Sequence, residues 1–586
     1  MHYLKPDLRT IVFACKGLSA VTLALAIAMS LDLDKPFWAM VASMMLQARP
    51  EAGLVIEKAV CLILGSTVGA VIAILILDNL IPYPVLAIGA LALCVAVTSA
   101  IASTIRHVNF VFATALVGVT ATLIVLFAMA DPATTSSESI FMVVRARLSE
   151  VLVGASSAIL PSVLLYPLKL KTVLEASMSR LLDLSLNHVS TILQSQSDPT
   201  AAHQQRIGII ALATSINDDA NAGRYEQAST DAALLTASNA LTLVAWGQTI
   251  ERIVGDKSLQ LSDTLTCFID QYAQGSNPLN HLSPAARRRT LEDCEPTEEL
   301  RALGQTDRVA HALMESLDQV SEALSVMLAA SLSVVDEPGE TQRPARFKRH
   351  RDWLVGFRSA LRSSLVFLSA IGIWILSDGH AALIMMIVLP VLLSQIFSSH
   401  PAPRVATAKL LGGALIAIPV AILFVLGLLA QGSIDFEILI LVLSAPLFLG
   451  LMSMTSPSLS PYGLGFCLTL AVLVQPSNYM TFAIDQCLST GLGIAAGLSM
   501  LYAGFALLGP PKHTWLQRRT LTALDSDIKK MREKRLSSDW LNQRAAERLA
   551  YLSAYEPQTP AGRALTERGL NVFESGHRMS LTLAKH

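Results

Sequence analysis

Apolar residues run along this chain in two long blocks, each broken at short intervals by charged residues, proline or polar turns. In the first block the apolar stretches cover about 11–31, 36–48, 56–77, 84–104, 109–130 and 141–166. In the second they cover about 354–376, 380–398, 404–430, 435–454, 462–475 and 480–508. A bilayer hydrocarbon core of ~30 Å takes roughly 20 apolar residues per helix. The pattern therefore predicts an all-α, polytopic membrane protein with about twelve transmembrane helices. The breaks carry their own chemistry: Asp32 to Lys35 before Pro36, Arg49-Pro50, Asp78 to Pro84, Arg106-His107 and Asp131-Pro132.

Between the blocks the pattern changes. Leu181, Leu182, Leu184 and Leu186, and later Leu313, Leu317, Val320 and Leu324, recur at helical spacing without strand alternation. This reads as a soluble helical domain with breaks at Pro199, Gly275 to Pro278, Pro284 and Pro296. Gly509-Pro510-Pro511 closes the second block, and a basic tail follows. The expected organisation is a first six-helix block (1–168), a cytoplasmic helical domain (169–352), a second six-helix block (353–511) and a cytoplasmic tail (512–586). A helix such as Lys529 to Leu549 is expected either to lie against an anionic leaflet or to stay solvated.

Composition supports a membrane class: 52% of residues are hydrophobic and only 15% charged. A net charge of -1 gives no basis for nucleic acid as a partner; the lipid bilayer is the expected one. Of the charged residues, 41 fall in 167–352 and only 8 in 353–511. Lys and Arg in short loops stay on the cytoplasmic side. Lys5, Arg9, Arg49, Lys58, Arg106, Lys169 and Lys171 fall on one side of the first block, and Asp32, Asp34, Asp78, Asp131 and Glu138 on the other. The expected topology thus places both termini on the cytoplasmic side. The first apolar run lacks a small-residue cleavage site before Asp32 and reads as a retained helix. The seven cysteines form no CxxC and point to neither a disulfide framework nor a zinc site.

Both blocks enter from the same side, which suggests a parallel duplication about an axis along the membrane normal. Phe13 with Lys16 resembles Phe357 with Arg362, Asp34 resembles Asp378, and Leu64-Gly65-Ser66 resembles Leu411-Gly412-Gly413.

No GxxxxGK[ST], HExxH or GxSxG motif is present, which argues against an enzyme and against direct use of ATP, and no cofactor is expected. What remains is a small set of ions in apolar helices, the usual location of a substrate path or proton relay. Lys16 and Arg362 sit a few turns into the first and seventh spans, where they either face a central path and attract an anion or snorkel to the leaflet. Glu57 and Lys58, with Lys409, form a second group. Arg147 and Glu150, three apart, share one face of the sixth span as a proton-coupling element or a static ion pair. His107, His380, Trp38 and Trp374 are expected at membrane interfaces. The short second and eleventh spans suggest broken or re-entrant helices.

Lys16 in a small-residue first helix, the Asp34-Lys-Pro-Phe-Trp-Ala39 entry to the second span, the Lys58 to Gly69 stretch and Arg147 to Gly154 resemble the fusaric-acid-resistance family of inner-membrane efflux proteins, which includes aromatic carboxylic acid (p-hydroxybenzoate) efflux subunits. In the second half Gly379-His380-Ala381 stands where the first has Pro36-Phe37-Trp38. The resemblance implies an exporter of aromatic or hydrophobic weak acids driven by the proton gradient. It also implies a periplasmic adaptor of the membrane-fusion class as partner. The alternatives are a passive organic-anion channel, since plant malate channels resemble the same family, and a scaffold acting through its cytoplasmic domain. Self-association into a homo-oligomer stays open.

Overall fold

The computed structural model describes residues 7–47, 52–105, 107–130, 136–164, 170–193, 199–223, 230–255, 308–333, 347–348, 351–400, 402–431, 435–480, 482–509, 513–554, 556 and 560–584. The expected breaks at Gly275 to Pro278, Pro284 and Pro296, and the loop charges Lys5, Arg49, Arg106, Asp131 and Lys169, lie outside them. The chain divides into two compact units, Met1–Leu168 with Arg351–Pro510 and Lys169–His350 with Pro511–His586.

The first unit holds both apolar blocks. Its first half is α1 (Leu8–Ser30), α2 (Phe37–Leu46), α3 (Ala52–Leu80), α4 (Pro84–Thr104), α5 (Val108–Ala130) and α6 (Ser137–Leu164). Among the described residues the middle segment forms α7 (Leu170–Leu193), α8 (Pro199–Gly223), α9 (Thr230–Gly255) and α10 (Arg308–Ser333). The second half of the first unit is α11 (Trp353–Leu376), α12 (Met385–Ile396), α13 (Pro403–Leu429), α14 (Phe436–Met454), α15 (Ser460–Val474) and α16 (Ile484–Leu507). The tail forms α17 (His513–Lys534), α18 (Ser538–Ala554) and α19 (Pro560–Ala584). Among the described residues no strand occurs.

Eight helices, α1, α3, α4, α5, α11, α13, α14 and α16, are long and apolar enough to cross a membrane, and the apolar α2, α12 and α15 are shorter. The ten residues of α2 reach only about 15 Å at 1.5 Å per residue, half a bilayer core. All ten are buried, as are Met385 to Gln395 of α12, so both short helices are walled by protein. A helix that ends inside a membrane protein is tolerated where protein surrounds its free ends. The remaining helix of the first unit, α6, carries Arg145, Arg147 and Glu150.

The two halves repeat each other in detail. Each first helix ends on an aspartate in the left-handed region, Asp32 (φ 49°) and Asp378 (φ 56°). The equivalent of Asp378 is therefore Asp32, two residues before the Asp34 expected from the sequence. The third helix packs on the fifth in both halves, and the second on the sixth. Glycines permit both approaches: a Cβ at Gly65 would strike Ala113 O, and one at Gly413 would strike Tyr462 O. Across the interface the contacts are reciprocal: α1 packs on α14 as α11 packs on α4, and α2 touches α15 as α12 packs on α5. Exchange of partners in this way is the signature of a two-fold relation.

In the second unit the tail folds onto the middle segment. Glu574 on α19 accepts a hydrogen bond from Thr249 at 2.8 Å and pairs with Arg252 on α9. His203 meets Glu556 at 2.6 Å, and Asn542 on α18 donates to Thr242 at 2.8 Å. The stretch Lys529 to Leu549 is two helices rather than one, broken where Arg535 takes φ 48°. Asp527 pairs with Arg544 at 2.7 Å and with Arg548, so part of the tail's positive charge is spent internally. Burial, aided by the Arg206 charge, lowers the His188 pKa to about 3. Burial likewise lowers His577 to about 3.

Candidate functional site

Two stretches more than a hundred residues apart meet in the first half. Arg147 and Glu150 are both buried on α6, with Arg147 Nη1 3.7 Å from Glu150 Oε2. The Arg147 guanidinium lies 4.5 Å from the centre of the Trp38 ring at the start of α2. Gly154, one turn further along α6, lets α2 approach: a Cβ there would sit 2.6 Å from Ala39 O and 2.7 Å from the Ala42 Cβ. Asp34 and Lys35, just before α2, lie within electrostatic reach of Glu150. The pair thus faces protein, and a cation–π contact with Trp38 adds to its stability. Arg147 Nε and Trp38 Nε1 are buried without a hydrogen-bond partner among the described residues.

Arg362 lies in the interior of the second half, on α11. It is 4% exposed and donates through Nη2 to Ser359 Oγ at 3.0 Å and toward Ser394 O at 3.4 Å. Its guanidinium sits 4.3 Å from the Phe505 ring centre on α16. Hydroxyls surround it: Ser99 on α4 meets Ser359 Oγ at 3.0 Å and Ser363 Oγ at 2.7 Å, and Ser363 donates to Ser394 Oγ at 3.0 Å. Arg358 lies one turn away on the same face of α11. Neither arginine pairs with a carboxylate among the described residues, and the Nε of each is buried without a hydrogen-bond partner. Like charges one helical turn apart repel, so the dyad is a pair of positive charges without a compensating carboxylate among the described residues. Sequence reasoning singled out Arg362 and missed Arg358, although their spacing of four on one helix was a legible signal.

Lys16 is 3% exposed on α1, beside Gly17, where a Cβ would lie 3.1 Å from Leu451 of α14. Neither Lys16 nor Arg362 snorkels: both are inside the bundle, each on the first helix of its half.

Lys58 and Lys409 are held apart, in opposite halves. Lys58 donates to Met45 O in the last turn of α2 and lies 4.9 Å from the Phe112 ring centre, a cation at a helix C-terminus. Lys409 donates to Ser458 O at 2.9 Å between α14 and α15 and lies 6.0 Å from the Tyr462 ring centre. Glu57 is buried and accepts from Asn109 at 2.6 Å, with His107 Nε2 at 3.6 Å. His107 is therefore a buried neighbour of a carboxylate rather than a solvated interface residue. His380 is exposed, as expected. Trp38 and Trp374 are internal, 5% and 3% exposed, and Trp374 Nε1 donates to His380 O at 3.1 Å, so neither is a lipid-facing anchor. Cys15, Cys61, Cys94, Cys467 and Cys487 are free, and no cluster of metal-ligating residues occurs among the described residues.

A polytopic helical bundle with duplicated halves, short internal helices and buried ions defines a multi-pass membrane protein of the transporter class. The chain belongs to the fusaric acid resistance protein family, whose model matches residues 10–581. It is 24% identical over 521 residues to the p-hydroxybenzoic acid efflux pump subunit AaeB of Edwardsiella tarda, covering 84% of this chain and 76% of the relative. It is 24% identical over 534 residues to the uncharacterized transporter YdhK of Escherichia coli K12, covering 88% of this chain and 76% of the relative. It is also 25% identical over 280 residues to the uncharacterized transporter GOX0755 of Gluconobacter oxydans, covering 47% of this chain and 36% of the relative.

Proposed function

We propose that this protein is an efflux transporter for aromatic or hydrophobic weak acids. One observation carries the reading: Lys16 and Arg362 are buried cations at matching positions of the two halves, and Arg362 with Arg358 lacks a carboxylate partner among the described residues. A carboxylate anion supplies the missing charge and accepts from the arginine N–H groups that lack a partner. The p-hydroxybenzoic acid named for the relative from Edwardsiella tarda is an acid of this kind.

Export is driven by the proton gradient, with Glu150 as the proton-carrying group and Arg147 holding it ready. A buried carboxylate beside an arginine alternates between a charged, paired state and a neutral one when a proton arrives. The protein sits in the inner membrane with both termini cytoplasmic and hands substrate to a periplasmic adaptor of the membrane-fusion class. The loop charges of the sequence support the orientation.

Proteoliposomes containing the full chain test the reading. An imposed pH gradient is expected to drive uphill movement of 4-hydroxybenzoate. Glu150→Gln is expected to abolish that movement while leaving counterflow exchange of labelled for unlabelled acid; equal gradient-driven movement by both proteins would remove Glu150 from the coupling role. The unpaired arginine dyad equally suits a passive anion pore. Large ohmic anion currents in planar bilayers, independent of pH gradient, would replace the transporter reading by that one.

A further inference from the structure

The two halves differ in how the third helix is built. In the first half α3 runs unbroken from Ala52 to Leu80 and lies tightly on α5 through Gly65 and Gly69. Its counterpart α13 carries Pro419, and residues Val420–Leu426 widen into a π-helical stretch. Proline removes a backbone donor and its ring clashes with the preceding turn, which explains the local rewinding. Facing it, α14 carries Pro446. Between α13, α14 and α15 these distortions leave a cavity of about 640 Å³. Its walls are almost wholly apolar, and Phe424, Tyr462 and Phe466 provide aromatic surface. Ile416, Phe424 and Leu449 are 57%, 43% and 54% exposed, so the cavity opens on the outside of the bundle, toward lipid.

A cation stands at one end of it. Lys409 lies one turn before the lining residue Gly413 on α13. Its Nζ is 6.0 Å from the ring centre of Tyr462, a wall residue, and donates to Ser458 O beside another, Leu459. An apolar, aromatic-walled cavity with a single ammonium at its end matches an aromatic ring bearing one carboxylate.

We propose that the cavity between α13, α14 and α15 is a bilayer-facing binding site for an aromatic carboxylic acid, with the ring between Phe424, Tyr462 and Phe466 and the carboxylate paired with Lys409. This rests on the weak-acid reading above and adds the route: the neutral acid partitions into the bilayer, enters sideways, and is held as its anion. π-Helical turns recur at functional sites because they reshape one helix face without breaking the helix.

Photolabelling of the full chain in nanodiscs with benzophenone-4-carboxylate tests it, the labelled residues being read by peptide mass mapping. Labelling is expected on α13, α14 and α15 and is competed by excess 4-hydroxybenzoate but not by benzyl alcohol. Lys409→Met is expected to weaken labelling and competition about tenfold or more, the usual scale for a charge-assisted contact, and Lys409→Arg to restore them. Ala445→Trp fills the cavity and is expected to abolish labelling; Ala445→Leu, a milder filling, is expected to reduce it in a chain whose melting temperature is unchanged. Labelling elsewhere, labelling indifferent to Lys409→Met, or capture of a photoactivatable phospholipid that the acid does not displace would overturn the proposal. Export without labelling sinks this site alone, whereas labelling without export sinks the transport reading and leaves the site standing.

Discussion

Lys16 and Arg362 occupy the same register in the two halves: each lies sixteen residues before the left-handed aspartate, Asp32 or Asp378, that follows its helix. The helices around them obey the same exchange. Thr10 on α1 meets Thr455 after α14 at 3.5 Å, and Gly356, at the register of Thr10 on α11, lies so near α4 that a Cβ there would be 3.3 Å from the Thr104 methyl. The duplication has kept a cation at each of the two equivalent places while the residues around them diverged. Arg362 has serines, Phe505 and a second arginine as neighbours. The two cations are therefore placed alike and surrounded differently, so their contributions to anion capture should be separable.

Arg362→Met is expected to lower export at limiting substrate by roughly ten- to a hundredfold, the scale of a lost hydrogen bond to a charged group. Arg358→Met is expected to act in the same direction but less, because Arg358 is only half-buried. Removing either arginine also relieves repulsion with the other. The expected signature is thus weaker transport with equal or higher thermal stability of the purified protein. A loss of transport that tracks a loss of folded protein would assign these arginines to structure instead.

Gln47 and Gln395 provide an internal control, since each stands ten residues after the first residue of the short helix of its half. Gln47 donates to Ala158 O at 2.9 Å and Ser162 Oγ at 3.1 Å, tying α2 to α6. Gln395 is wholly buried, and neither of its amide atoms has a partner among the described residues. Gln47→Leu is expected to cost about 1–3 kcal/mol by leaving α6 acceptors unmet, whereas Gln395→Leu is expected to be neutral or stabilising. Paired melting curves of the two variants check this; equal destabilisation would show that Gln395 has a water or ligand partner.

The span pattern was legible because membrane helices are marked by length and hydropathy alone: the stretch expected at 84–104 is α4. Lys16 and Arg362 could be matched by eye, but the register rests on Asp32, which the sequence did not distinguish from Asp34; the difference is a backbone torsion. Trp38 and His107 were expected at interfaces from residue type. Their burial follows from which helices surround α2 and the start of α5, information that resides in tertiary packing. The two halves of the tail helix were hidden likewise, since Arg535 in the left-handed region is not a residue that announces a break. The cavity was hidden too: Pro419 and Pro446 were visible in the sequence, but the π-helical stretch after Pro419 and its meeting with Pro446 at the cavity were not.

The meeting of α2 and α6 gives a sharper structural test. Gly154→Leu places a side chain where a Cβ already lies 2.6 Å from Ala39 O, so the two helices must separate and Arg147 must leave Trp38. Overpacking of this kind costs typically 1–3 kcal/mol or more. Gly154→Ala is expected to destabilise less, and Trp38→Leu to weaken the hold on Arg147 without forcing the helices apart. Thermal unfolding in detergent should rank the variants in that order; a tolerated Gly154→Leu would mean that α2 is not held against α6.

Acid should weaken the second unit through two buried histidines. His188 and His577 are buried and neutral in the fold, with pKa values lowered to about 3. His188 is faced by Gln205 and by the Arg206 charge, and His577 by Asn542, Trp246 and Phe573. An unfolded histidine takes up its proton near pH 6.5, so below that value the unfolded chain binds more protons than the folded one. Stability therefore falls as pH drops through about 6.5, and goes on falling toward the folded values, by up to about 1.4 kcal/mol per pH unit for each histidine. Hydrogen-exchange protection factors in α7, α9 and α19 of the full chain, which take out the pH dependence of intrinsic amide exchange, are expected to fall steadily between pH 6.5 and 5. His577→Phe removes one of the two protons taken up and is expected to reduce that slope by about half. A slope unchanged in His577→Phe would show that other groups govern the acid response of the unit.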